Sequence, residues 1–197
     1  MQTDMTVGKP MKMLLNFTIP VFLGNVFQQL YSMADAVIVG KFVGTKGLAA
    51  VGATGTITFL IIGFLMGVTT GVTVLTSQKF GAGRMDEMRK TVGNAAILSA
   101  VIAVVMTAVS MLGMHRLLVF MHTPEDIFDG AYGYIMIICA GIFTQVLYNL
   151  VSSILRALGN SKTPLYFLIL AAGLNIVLDL VFIIFFHWGA PGAAWAT

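Results

Sequence analysis

The sequence predicts an all-α integral membrane protein, a polytopic bundle of five full transmembrane helices plus the start of a sixth. Three observations carry this. Hydrophobic residues make up 58% of the 197 and charged ones only 10%, against about 25% charged in an average soluble domain. Mean hydropathy is +0.93. The charges are also segregated, leaving apolar runs longer than the roughly 20 residues a helix needs to cross a bilayer core. Barrel strands, about 10 residues long and alternating in polarity, do not fit such runs. A formal net charge of +3 is too small for this length to point to nucleic acid. With one cysteine, Cys139, and three scattered histidines, neither an intrachain disulfide nor a Cys/His zinc cluster can be built.

The first span, 13–40, follows the basic flank Lys9 and Lys12. Ala34-Asp35-Ala36 imitates a signal-peptide cleavage site, but the apolar stretch outruns an h-region of about 7 to 15 residues and an Asp interrupts the motif. A retained first helix is expected. Pro20 removes one backbone hydrogen bond from it, and two readings stay open, a helix bend and a tolerated membrane proline. The second span is 47–78. After it, Gly81-Ala82-Gly83-Arg84 follows no strand and is too short for a phosphate-binding fingerprint, so it reads as a turn. The third span is 91–114. The fourth, 130–155, carries Tyr134 near one end and a deeper polar stripe of Gln145, Asn149 and Ser152. The fifth, 163–186, contains a single acid. Residues 191–197 then read as an interfacial proline followed by the small packing residues of a sixth helix. The whole chain, 1–197, is therefore expected to be an N-terminal transmembrane bundle that breaks off in helix six, with a second set of six spans to follow.

Loop charges set the expected orientation. With the N-terminus in the cytoplasm, Lys9, Lys12, Lys79, Arg84, Arg89, Lys90, Arg156 and Lys162 lie inside, and Lys41, Lys46 and Arg116 outside. The positive-inside rule favours that arrangement, a multi-pass protein of the cytoplasmic (inner) membrane. Arg156 and Lys162 need no role beyond anchoring it.

Of all the charged side chains, only Asp35 and Asp179 fall within spans. An ionised, unpaired carboxylate there costs several kcal/mol, so such residues face a cavity or a partner and are functional candidates by default. Asp35 precedes Lys41 by six residues and Asp179 precedes His187 by eight, which at 1.5 Å per residue places both roughly 9 to 12 Å below the outer end. Each has polar company on its own face. Gln28, Tyr31 and Asp35 recur at i, i+3, i+7, and Asn175 and Asp179 at i, i+4. The plainer reading of these polar groups, and of Gln145, Asn149 and Ser152, is interhelical bonding worth under about 1 kcal/mol each. For the thirteen methionines, ordinary core and lipid contact is the plainer reading too.

Several segments in order resemble the multidrug and toxic compound extrusion (MATE) family. They are Tyr31-Ser32-Met33-Ala34-Asp35, Val39-Gly40, Leu48-Ala49-Ala50-Val51-Gly52, Gln78-Lys79-Phe80-Gly81-Ala82-Gly83-Arg84, Arg156-Ala157-Leu158-Gly159-Asn160, Asn175 with Asp179, and Gly192-Ala193-Ala194-Trp195-Ala196-Thr197. The likeness runs through nearly the whole chain. It implies the N-terminal half of a twelve-helix, two-bundle secondary active transporter rather than an enzyme. Such a protein exports organic cations or drugs by alternating access, in exchange for Na⁺ or H⁺. Carried over by position, the resemblance implies Asp35, Asn175, Asp179 and Thr197 as ligands of Na⁺ or as proton carriers, with Tyr134 as a network member. Pro20 is similar in placement to a first-helix proline at which some members bend. No cofactor is expected beyond the coupling ion. The expected partners are organic cations or drugs, the lipid bilayer and the missing C-terminal bundle, with no nucleic acid.

Two other functions compete. A flippase of the wider superfamily, moving lipid-linked oligosaccharides, would want cationic residues in its cavity to meet pyrophosphate, and no Lys or Arg lies mid-span. An intramembrane aspartyl protease would place its second acid after Gly-x-Gly, whereas Asp179 follows Ile176-Val177-Leu178.

Overall fold

The structure is a computed structural model that describes residues 10–197. Lys9, counted above in the basic flank, lies outside the described residues. Seven α-helices follow one another: α1 (Pro10–Phe42), α2 (Thr45–Gly81), α3 (Met85–Phe120), α4 (Glu125–Ala140), α5 (Ile142–Ala157), α6 (Lys162–Leu180), continued by a π-helical turn (Val181–Phe185), and α7 (Gly189–Ala196). The first three are 33, 37 and 36 residues long. At 1.5 Å per residue each outreaches the roughly 30 Å hydrocarbon core, so their ends project beyond it or the helices tilt. Among the described residues four helices are long and apolar enough to cross a bilayer: α1, α2, α3 and α6 with its π turn. The bent pair α4–α5 reaches that length and apolarity only when taken together.

That fifth membrane-length segment is not a straight rod. The stretch 130–155, expected from composition as one helix, bends by 46° between α4 and α5, at Gly141. Glycine is a poor helix former and a common kink site, because it has no Cβ to pack against the preceding turn. A Cβ built at Gly141 would stand 3.3 Å from the Ile138 carbonyl oxygen. Pro20, by contrast, sits inside α1 without interrupting it.

Helix α2 is the central post. Its buried positions Gly47, Ala50, Thr54, Ile57, Ile61, Leu65, Thr69, Val72 and Thr76 recur at steps of three or four residues, one continuous stripe along a single face of the helix. It packs against α4, α5 and α3. On α3, Ala95, Ser99 and Ala103 form a small-residue row at i, i+4, i+8, which lets neighbouring backbones approach closely. Helix α1 stands apart from this core and packs chiefly on α6, while α7 is wedged between α4, α6 and the π turn. The outward faces are apolar, with Leu112 84%, Phe185 83% and Phe59 75% exposed, as a lipid solvent permits.

The bundle has two unlike ends. The hairpin end, with the α2–α3 and α5–α6 turns, carries Lys79 bonded to Glu87 at 2.9 Å and Arg84 at 3.7 Å from the same carboxylate. The far end holds the α1–α2, α3–α4 and α6–α7 turns and one ion pair, Lys46 to Asp126 at 3.5 Å.

The α1–α2 turn is tight enough to test. Gly44 takes φ +89°, a region open to glycine at no steric cost. Three residues on, a Cβ at Gly47 would fall 2.4 Å from Val43 Cγ1 and 2.7 Å from Val43 Cβ. Gly47→Ala is therefore expected to destabilise the bundle by about 1–3 kcal/mol through overpacking. Thermal unfolding of the purified variant beside the parent checks this, and an unchanged midpoint would show that the turn relaxes freely.

Candidate cation-binding site

The α1–α6 interface dictates where the two intramembrane acids go. Asp35 lies one α-helical turn before Val39 on the face of α1 that α6 covers, and Asn175 and Asp179 occupy one face of α6, one turn apart. Packing those faces together buries all three side chains, leaving Asp35 9%, Asn175 5% and Asp179 0% exposed. The carboxyl groups of Asp35 and Asp179 are close electrostatic neighbours.

The chain reversal after α6 supplies the next wall. In the π turn the Phe186 N–H bonds Val181 O at 3.2 Å, then Trp188 N–H bonds Phe182 O at 3.1 Å. Phe182 stacks on Trp188 with ring centroids 5.1 Å apart, and His187 takes φ +55°. This folds α7 back along the end of α6. Thr197 thereby reaches Asn175, whose Nδ2 donates to Thr197 Oγ1 at 3.5 Å, while the threonine hydroxyl donates to Ala193 O at 3.0 Å. Tyr31, one turn below Asp35 on α1, lies against Thr197 and faces both acids. Tyr134 comes in from α4 and also faces Asp35 and Asp179.

What distinguishes this cluster is unmet acceptor capacity. Asp35 Oδ1, Asn175 Oδ1 and both carboxyl oxygens of Asp179 are buried and have no hydrogen-bond partner. Among the described residues no Lys, Arg or His pairs with either acid. Buried acceptors are ordinarily satisfied, because leaving one without a partner costs about 1–3 kcal/mol, more for a charged group. Two adjacent carboxylates in a low dielectric cannot both stay ionised without a positive charge between them. The arrangement can therefore hold a proton shared between the acids, or a small cation. An all-oxygen donor set suits a hard cation rather than a transition metal, and no group of three or more His, Cys, Asp and Glu is placed to hold a metal among the described residues.

Other sequence candidates lie elsewhere. Gln28 is half-buried on the same face of α1, two turns toward the hairpin end. Gln145, Asn149 and Ser152 ride on α5 below the Gly141 bend, where α5 packs against α2 and α3. There Ser152 is buried and Asn149 Nδ2 is buried without a partner.

The structure also adds residues that sequence reading missed. Val39, Ile183, Ala193 and Ala194 pack with Tyr134 as one apolar cluster directly beyond the acids. Their signal was available, since Val39 follows Asp35 and Ile183 follows Asp179 by four residues, one turn along the same faces.

The family model described as MatE matches residues 20–181. Among curated proteins, the chain is 33% identical to the probable multidrug resistance protein YpnP of Bacillus subtilis, over 98% of this chain and 44% of that protein. It is 28% identical to the probable multidrug resistance protein NorM of Thermotoga maritima, over 94% of this chain and 41% of that protein. Among solved structures, it superposes on a MOP superfamily transporter from Pyrococcus furiosus with a TM-score of 0.92 and 30% identity, covering 96% of this chain and 42% of that one. The chain thus spans less than half the length of the relatives it matches.

Proposed function

The chain belongs to the MatE family, and from that premise we propose that it is the ion-binding bundle of a secondary transporter that exports organic cations or drugs in exchange for Na⁺ or H⁺. One observation carries this reading: four buried oxygens of Asp35, Asn175 and Asp179 converge between α1 and α6 with no hydrogen-bond donor to satisfy them. In the proposed cycle the two carboxylates take up a proton, or a Na⁺ held together with the Asn175 and Thr197 oxygens. Tyr31 and Tyr134 close the sides of the site and orient it. Binding this charge removes the repulsion between the acids, so α1 and α6 pack tightly only when it is present. A cationic substrate supplies the same neutralisation, and ion and substrate therefore compete. Coupling follows when the ion binds the inward- and outward-facing states with different affinity.

The same reading assigns the hairpin end to the cytoplasm, because Lys79, Arg84, Arg89, Lys90, Arg156 and Lys162 gather there. It also assigns a second six-helix bundle of the same polypeptide as the partner across the transport cleft. The test is export of a cationic dye from proteoliposomes holding the full-length protein, with a Na⁺ gradient or a pH gradient imposed alone. Dye movement driven by one of the two is the expected result. Dye movement indifferent to both would reject ion coupling.

A further inference from the structure

Beyond the paired acids, the far end of the bundle holds a second feature that the transport reading leaves unused. A cavity of about 280 Å³ opens there, walled by Val43 of the α1–α2 turn, Gly47 and Ala50 of α2, Gly130 of α4, and Ala190 and Pro191 of α7. The ion pair Lys46–Asp126 also borders it. Its position relative to the acids follows from helical spacing. On α1, Asp35 and Val39 are four residues, about 6 Å, apart along one face, and Val43, just past the helix end, bonds back to Val39 O through its N–H at 2.9 Å. On α7, which runs the opposite way, Ala190, then Ala193 and Ala194, then Thr197 repeat the order in reverse. On α4, Gly130 precedes Tyr134 by one turn. Three layers result: the vestibule, an apolar closure of Val39, Tyr134, Ile183, Ala193 and Ala194, and the oxygen cluster beneath it.

The vestibule lies at the lower end of the roughly 300 to 1,000 Å³ of drug-sized pockets, and it has room for a hydrated small ion. Its mouth carries a carboxylate. The Lys46–Asp126 pair is open to solvent, with side chains 71% and 57% exposed, and exposed pairs of this kind hold together by at most about 1 kcal/mol. Glu125 and Asp129 flank Asp126 on α4. On the α7 side, Ala193 and Ala194 contribute only methyl groups to this closure.

Resting on the reading of Asp35 and Asp179 as a cation site, we propose that Na⁺ or H⁺ reaches them from the far end of the bundle. The ion is gathered at Asp126, passes the vestibule and crosses the Val39–Ala193–Ile183 closure.

An access route has a signature that a binding residue lacks. Narrowing it slows entry and exit alike and leaves the equilibrium affinity unchanged. Gly130 offers the variant, because a Cβ there would meet only Ala50 Cβ at 3.4 Å, an ordinary contact, while a longer side chain must occupy the vestibule. Stopped-flow Na⁺ jumps and pH jumps on the purified full-length protein, read by tryptophan fluorescence, give rate and half-saturation separately. Gly130→Leu is expected to slow the response about tenfold with half-saturation near the parent value, and Gly130→Ala to behave as the parent. Two surface variants leave the packing alone. Lys46→Gln should speed Na⁺ entry and Asp126→Asn should slow it, both only at low ionic strength, as electrostatic steering requires.

Parent-like rates in Gly130→Leu, Lys46→Gln and Asp126→Asn together overturn the route. A weakened affinity with unchanged entry rate in Gly130→Leu overturns it as well. If in that case Asp35→Asn still abolishes the saturable response, the cation site stands and only the route is lost. A parent protein with no saturable response to either ion removes the site and the route together.

Discussion

Full-length protein carrying Asp179→Asn is expected to lose ion-driven export of cationic dyes by about 100-fold, equivalent to ~2.7 kcal/mol of lost driving interaction, and Asp35→Asn to do the same. Asparagine keeps the size of aspartate and most of its hydrogen bonding but cannot take up a proton or supply a full negative charge. Asp179 is fully buried with both carboxyl oxygens unpartnered, so the substitution removes a desolvated acid rather than a made contact. Thermal stability should therefore be unchanged or higher, since removing an uncompensated buried charge relieves a cost. That pairing of results separates the two roles an intramembrane acid can have. An aspartate that only glues helices would lose stability and keep transport. The measurement is dye export from proteoliposomes under a fixed ion gradient, with melting curves on the same preparations. If both variants export at the parent rate, the cluster is not the coupling site and the acids belong to helix packing.

Asn175→Ala should act on affinity instead. The carboxyl pair remains, but the Oδ1 that is buried without a donor disappears, and so does the amide that donates to Thr197. Losing one oxygen ligand is expected to weaken ion binding about tenfold, ~1.4 kcal/mol, within the range for a removed hydrogen-bonding group. Raising the ion concentration by the same factor should restore most of the export, because occupancy depends on concentration relative to Kd. A titration of transport rate against Na⁺ at fixed pH, and against pH without Na⁺, checks this. A rate that stays low at every ion concentration would instead make Asn175 part of the conformational change. Thr197 gives a graded comparison, because its hydroxyl is already committed to Ala193 O.

Asp35 and Asp179 could be singled out from the sequence because a bilayer leaves so few reasons for a mid-span acid. Their same-face neighbours Tyr31 and Asn175 followed from the 3.6-residue period. That rule places residues on a face but says nothing of which faces meet. Gln28 obeys the same spacing as Tyr31, yet it lies two turns away from Asp35. The α5 stripe of Gln145, Asn149 and Ser152 shows the same helical spacing without a mid-span charge, and α5 packs on α2 and α3. Gly141 was visible in the middle of the fourth span, but glycine permits a bend without requiring one. The π turn after Asp179 had no signal of its own. It depends on α7 folding back over Phe182 and Trp188, contacts made only in the assembled bundle.

By itself, the sequence determined the solvent and the helical class, and it singled out the two mid-span acids. Each follows from a local property, hydrophobic length or the cost of a charge in lipid, that a run of residues carries wherever it packs. Only the tertiary structure decided that α1 and α6 pair, that α7 returns Thr197 to Asn175, and that Tyr134 and the Val39 layer close over the carboxyls. In a bilayer every lipid-facing side chain is as apolar as a core one, so hydrophobicity cannot tell a helix which face to bury. The choice falls to small-residue packing, backbone turns and the need of a few polar groups for one another.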